Sequence, residues 1–247
     1  MIKAIFTSAW INIKTLRFNF LQYFMLVMIF PCTYLIISVV SSGGANGLSS
    51  YGVGLFCSML ISMFVNMQAA GIAQSVGITV MEQYAAFKVK PIFVFLGQSV
   101  FHMMLILPFA AAILVFALCF GMAVSGAGFV LALLLSAVFL TFVSIVIGGL
   151  IPNPNLASPV INMLYMVIIM ITPLYNDIGG MQGAVRTLYA LNPFSHIVSL
   201  FSWSLGNGAL CSPYISAAVL LALALLAALA SIKRWGRAAA AEKLSVF

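Results

Sequence analysis

Apolar residues run almost unbroken through six stretches of this chain, near residues 20–40, 53–78, 92–119, 128–151, 160–176 and 214–232. Gly, Pro, Ser or charged residues punctuate the gaps between them. A helix needs about 20 mainly apolar residues to cross a bilayer, so each stretch predicts a transmembrane helix. The fifth is short, and Pro173 shortens its regular part further. A membrane β-barrel would alternate apolar and polar positions over segments of about ten residues, and these runs do not alternate. The first run follows a segment carrying Lys3, Lys14 and Arg17 and is long enough to span, so it reads as a retained helix and not as a cleaved leader. Residues 2–19 have their own pattern. At 100° per residue Ile2, Ile5, Phe6, Ala9, Ile13 and Leu16 fall in one arc, while Lys3, Thr7, Lys14 and Arg17 cluster in another. That is the signature of an amphipathic helix lying in the membrane interface, the simpler alternative being a positively charged flank. The expected fold is an all-α integral membrane protein of six transmembrane helices, a single transmembrane domain over 1–247.

Composition agrees with this reading and charge orients it. Hydrophobic residues make up 64% of the chain and charged ones 5%, against about 25% charged in a soluble domain. Lys3, Lys14 and Arg17 precede the first run, Lys88 and Lys90 lie between the second and third, and Lys233, Arg234, Arg237 and Lys243 follow the sixth. With six spans these zones share one side and only Arg186 lies opposite, which predicts both termini in the cytoplasm. A multi-pass protein of the plasma (bacterial inner) membrane is expected. The net charge of +7 is then topological. It invites anionic membrane lipid, not nucleic acid, because no soluble face gathers it. Cys32, Cys57, Cys119 and Cys211 are too widely spaced to suggest a metal site and read as small buried hydrophobes.

Chemistry-bearing residues are scarce within the runs. His102 is the clear ionisable residue in a span, one turn from Gln98, which suggests a hydrogen-bonded pair, with a proton relay as the other reading. An ion-driven carrier would need buried carboxylates that the chain lacks. HExxH, paired Asp and GxxxxGK[ST] motifs are also absent, so the chain cannot hydrolyse ATP through a phosphate-binding loop. Two polar stripes remain. Ser62, Asn66 and Gln74 share an arc of the second run, and Asn162, Tyr165, Met166, Ile169, Thr172 and Asn176 share an arc of the fifth. Mild polarity mixed with Met and aromatic surface suits a pathway for a large amphipathic solute; helix packing glued by amide hydrogen bonds is the alternative. Between the second and third runs, residues 81–90 ("MEQYAAFKVK") form a short polar segment before Pro91. Glu82, Gln83, Tyr84, Phe87 and Lys88 there offer polar and aromatic tips to a partner, or simply form a basic loop. Residues 178–210 contain two stretches too short to span, which suggests re-entrant outer helices between the fifth and sixth runs.

The order of parts resembles a type-2 ABC transporter permease. The resemblance rests on an amphipathic N-terminal helix, a first run with a proline ("MIFPCTYLII"), a segment led by Glu82 that ends at Pro91, and "ALNPFSHIVSL" after the fifth run. The family's Gly-Thr between the acidic residue and the proline is missing here. The resemblance implies a membrane subunit that exports a hydrophobic or amphipathic substrate such as a drug, lipid or peptide. It implies pairing with a second copy or a paralogue, and two copies of a separate ABC ATPase holding ATP and Mg, with no cofactor on this chain. Residues 81–90 would be the coupling helix, with Glu82 its acidic contact, and the second and fifth runs would line the dimer interface. The rival expectations are a non-transporting anchor or assembly subunit and an ion-coupled carrier.

Overall fold

A computed structural model describes residues 2–18, the isolated positions 21, 24, 25, 29, 33, 36 and 40, and residues 51–86, 89–151, 153–175 and 182–235, with side chains 78, 79 and 85 excepted. Among the described residues regular structure is entirely helical. Helix α1 covers Ile2–Leu16. Helix α2 covers Val53–Ser75, and its middle, Ser62–Gln68, is wound as a π-helix between α-helical ends. Then follow α3 (Ile78–Ala86), α4 (Pro91–Cys119), α5 (Gly126–Leu150), α6 (Pro154–Ile171), α7 (Gly183–Leu191), α8 (Pro193–Ser204) and α9 (Pro213–Trp235).

Five of these, α2, α4, α5, α6 and α9, are long and apolar enough to cross a membrane. Even α6, the shortest at 18 residues, reaches about 27 Å at 1.5 Å per residue. The first run, 20–40, lies mostly outside the described residues; its described positions are helical and exposed. The fifth run starts earlier than its hydropathy suggested. Asn153 caps the helix by accepting from the Asn155 amide at 3.0 Å and Pro154 occupies its first turn, a position where the missing N–H costs nothing. It stops at Ile171 because Thr172 is extended ahead of Pro173, as steric clash with a following proline ring dictates. Within 81–90, α3 ends at Ala86, Phe87 and Lys88 lie outside the described residues, and Val89 and Lys90 are not helical.

In lipid, apolar surface alone gives helices little reason to associate, so close backbone packing must hold them. The sequence supplies it with small residues. A Cβ on Gly148 would sit 2.5 Å from the Ala69 carbonyl oxygen of α2, and one on Gly149 would sit 2.8 Å from the Trp235 ring of α9. These adjacent glycines let α5 touch both neighbours at once. The main core joins α2, α4, α5, α8 and α9, with Ile168 entering it from α6. At one end of it Phe56, Phe129 and Phe201 meet with centroids 4.9–5.6 Å apart, within the range aromatic pairs prefer. Helix α8 is buried along nearly its whole length. The end carrying α3, Lys90, Lys233 and Arg234 has a separate small core of Ile72, Met81, Ile92, Phe95, Ile145 and Trp235.

Candidate functional site

The two polar stripes read from the sequence face each other. Along the α2–α6 seam, Ala69, Ala73, Ala157 and Ile161 form a buried cluster of small side chains, which brings the two backbones together. Beside it runs a polar ladder. Asn66 Nδ2 donates to Asn162 Oδ1 at 3.5 Å, Gln74 Nε2 donates to Ser158 Oγ at 3.5 Å, and a side-chain hydrogen bond joins Tyr165 and Ser62. The partners descend on α6 as they ascend on α2, as two antiparallel neighbours require. At 3.5 Å the first two bonds are long, beyond the usual 2.7–3.2 Å, so the ladder is held loosely.

Asn162, Ser158 and Gln74 are exposed, among exposed Met163, Met166 and Met170. That mixture separates the seam from the other outward surfaces. The exposed face of α9, with Ile215, Leu221, Leu225, Leu226 and Leu229, is the plain aliphatic surface that lipid tolerates, whereas exposed amides in lipid lack partners. Not every stripe residue joins the seam. Thr172 is buried, donates to the Ile168 carbonyl at 2.6 Å and accepts from Asn192 Nδ2 at 3.2 Å. Ile169 is half-buried against the main core, and Asn176 lies outside the described residues.

The π-helical middle of α2 divides its polar residues between two neighbours. Asn66 turns to α6, while Gln68 is fully buried and donates to Ser99 Oγ of α4 at 2.5 Å. Gln68 Oε1 is buried without a hydrogen-bond partner among the described residues. Sequence periodicity missed Gln68 because a π turn, closing at i+5, shifts the helical phase, and it missed Ser99, a single hydroxyl on the apolar helix α4. Inserted π turns recur at functional sites. His102 is hydrogen-bonded to Gln98 as its spacing suggested, though to the backbone: ring Nδ1 donates to the Gln98 carbonyl at 2.8 Å, and the ring packs against Phe64 and Phe101.

At the basic end, Glu82 and Gln83 of α3 are exposed, and Tyr84 is half-buried against the small core that Met81 enters. Burial pushes the Tyr84 phenol up from its ordinary value, opposed by a side-chain hydrogen bond with Ser75. One face of α3 is thus anchored and the other is open. At the opposite end the "LNPFSH" segment has a local physical role. Asn192 caps α8 by accepting from the Phe194 amide at 3.0 Å, while its Nδ2 donates to the Ile171 carbonyl at 3.0 Å. That one side chain starts α8 and ties it to the end of α6. His196 then bridges Ser216 Oγ on α9 at 3.1 Å and the Ala190 carbonyl at 2.9 Å.

A helical bundle with several membrane-crossing elements, a loosely held polar seam on its outward surface and a half-open helix at its basic end defines a multi-pass membrane protein of the transport class. The chain belongs to the ABC-2 type transporter family, whose model matches residues 1–205. It is therefore a permease component of an ABC transporter, a membrane subunit distinct from the ATPase. Among curated proteins none matches the chain significantly.

Proposed function

We propose that this chain exports a hydrophobic or amphipathic substrate, a drug, lipid or peptide, with energy from ATP and Mg bound on two copies of a separate ABC ATPase. The observation that carries the reading is the exposed ladder of Asn66–Asn162 and Gln74–Ser158 between α2 and α6. Amide groups facing lipid are costly, so a second permease chain, identical or paralogous, covers this face, and the substrate pathway lies between the two. Ser62, Asn66, Gln74, Asn162, Tyr165 and Met166 line it, with Asn176 continuing it toward the outer end. The first run completes six spans with both termini on the ATPase side, 2–19 rests in the interface, 81–90 is the coupling segment and 178–210 closes the outer end. Glu82, Gln83 and Tyr84, followed by Phe87 and Lys88, meet the ATPase, which on closing tilts the paired bundles and drives substrate outward.

The test is purification from the native membrane in mild detergent, with ATPase activity and transport measured in parallel. An ATPase should accompany the chain, and Glu82→Ala should release it or uncouple hydrolysis from transport. Asn162→Leu should alter transport while the ATPase stays attached. A chain that purifies without any ATPase, or a Glu82→Ala complex that transports as before, refutes the coupling assignment.

A further inference from the structure

We infer that α1, α3 and α4 enclose a binding site for an anionic glycerophospholipid of the leaflet on the α3 side. A cavity of about 820 Å³ lies between these helices, within the size range of small-molecule sites. Helix α1 contributes Lys3, Thr7 and Asn12, α3 contributes Tyr84, and α4 contributes Val94 and Gln98. Among the described lining residues Lys3 carries the one formal charge and no acidic residue offsets it, so the site selects an anion. Its other polar groups are neutral amides and hydroxyls, fit for the ester and hydroxyl oxygens of a headgroup.

Position decides for lipid over a soluble anion. Helix α4 starts at Pro91, so Val94 lies about 4.5 Å and Gln98 about 10.5 Å along it, at 1.5 Å per residue. The cavity thus runs from the headgroup level into the ester region of one leaflet, with Ile11 and Val94 giving it apolar wall. Because Tyr84 belongs to α3, a lipid seated here joins the interfacial helix to the segment proposed to meet the ATPase. That consequence rests on the proposed function; the binding itself does not.

Native mass spectrometry of the purified, delipidated chain, titrated with phosphatidylglycerol or phosphatidylcholine, tests the site without reference to any ATPase. The expected result is one retained phosphatidylglycerol per chain, favoured over phosphatidylcholine by about fivefold, the attraction of one lysine for anionic lipid. Lys3→Gln should erase the preference, and Ala4→Phe, which fills the cavity, should abolish retention. Lys14→Gln, on the same helix but outside the cavity, should leave both unchanged. Retention unaffected by Lys3→Gln and Ala4→Phe overturns the inference, as does a Lys14→Gln effect equal to that of Lys3→Gln, which would indicate diffuse attraction. Displacement by glycerol phosphate at the concentration at which the lipid binds overturns it in favour of a soluble phosphate ester.

Discussion

Gly97→Ala should lift α1 from the bundle. A Cβ at Gly97 would lie 2.5 Å from the Ile5 carbonyl oxygen, 2.5 Å from Ser8 Cβ and 2.8 Å from Ser8 Oγ. The first two belong to the helix itself and cannot swing aside, so α1 must retreat as a body. Ordinary contact begins at 3.4 Å, so the retreat is roughly 3.4 minus 2.5, about 1 Å, and the Ser8 Oγ to Val94 carbonyl bond, now 2.9 Å, stretches past any useful length. Overpacking costs about 1–3 kcal/mol and the lost bond about 1 kcal/mol, while alanine in place of glycine in a helix returns about 0.5–1 kcal/mol. The net, about 1–3 kcal/mol, is a loss of docking by α1 and corresponds to about 5- to 150-fold in the opening equilibrium. Hydrogen exchange read by mass spectrometry should show amides of residues 2–16 exchanging faster by that factor, with α5 and α9 unaffected. Gly71→Ala is the control, since nothing lies within 4 Å of its built Cβ. If Gly97→Ala leaves exchange in α1 unchanged, or if Gly71→Ala accelerates it equally, the seating of α1 on Gly97 is wrong.

Two stability predictions concern buried polar groups with incomplete partners. Gln68→Leu should raise the thermal midpoint in detergent, because it removes an acceptor unpartnered among the described residues, which costs about 1–3 kcal/mol, and sacrifices the bond to Ser99 Oγ, worth about 1 kcal/mol, with a marginal one to the Phe95 carbonyl at 3.5 Å. Ser99 keeps its bond to the Phe95 carbonyl at 3.1 Å, and a fall in the midpoint would show that Gln68 Oε1 has a partner. Trp235→Ala should cost about 3–5 kcal/mol, since its ring meets Phe95 edge-on at 5.8 Å. Trp235→Phe should cost much less, because the indole N–H it removes has no partner among the described residues; equal losses for the two variants in thermal unfolding would mean that N–H is bonded.

What the sequence made legible follows from the physics that dominates in a membrane. Continuous apolar runs located α2, α4, α5, α6 and α9 to within a few residues, with the largest displacement at α6, whose start is set by the Asn153 cap and not by hydropathy. Helical periodicity placed Asn66 and Asn162 on arcs that do meet. It missed Ser158, a single hydroxyl in a turn dominated by proline and apolar residues, and it missed Gln68, whose direction depends on the π turn within Ser62–Gln68. The cavity beside Lys3 has no sequence signal, because it exists only once α1 folds back on α4 across ninety residues of chain.

The small core at the basic end bears on how motion of α3 reaches the rest of the molecule. Met81 shares this core with Ile72 at the end of α2, Ile92 and Phe95 at the start of α4, Ile145 near the end of α5 and Trp235 at the end of α9. A force applied to the exposed Glu82 face is therefore delivered to the ends of four long helices together and not to one. Interiors packed this densely transmit strain with little compression, so the bundle moves more nearly as a unit than as separate rods. The exception is α6, which contributes nothing to this core; it enters the main core through Ile168 and meets α2 through alanines, Ile161 and hydrogen bonds stretched to 3.5 Å. The loosely held seam is thus the one that carries the exposed polar ladder, while α3 packs through Met81 against the ends of the other four. Helix α9 lies beyond the family match, which ends at residue 205, yet through Trp235, packed on Gly149, it belongs to the same small core.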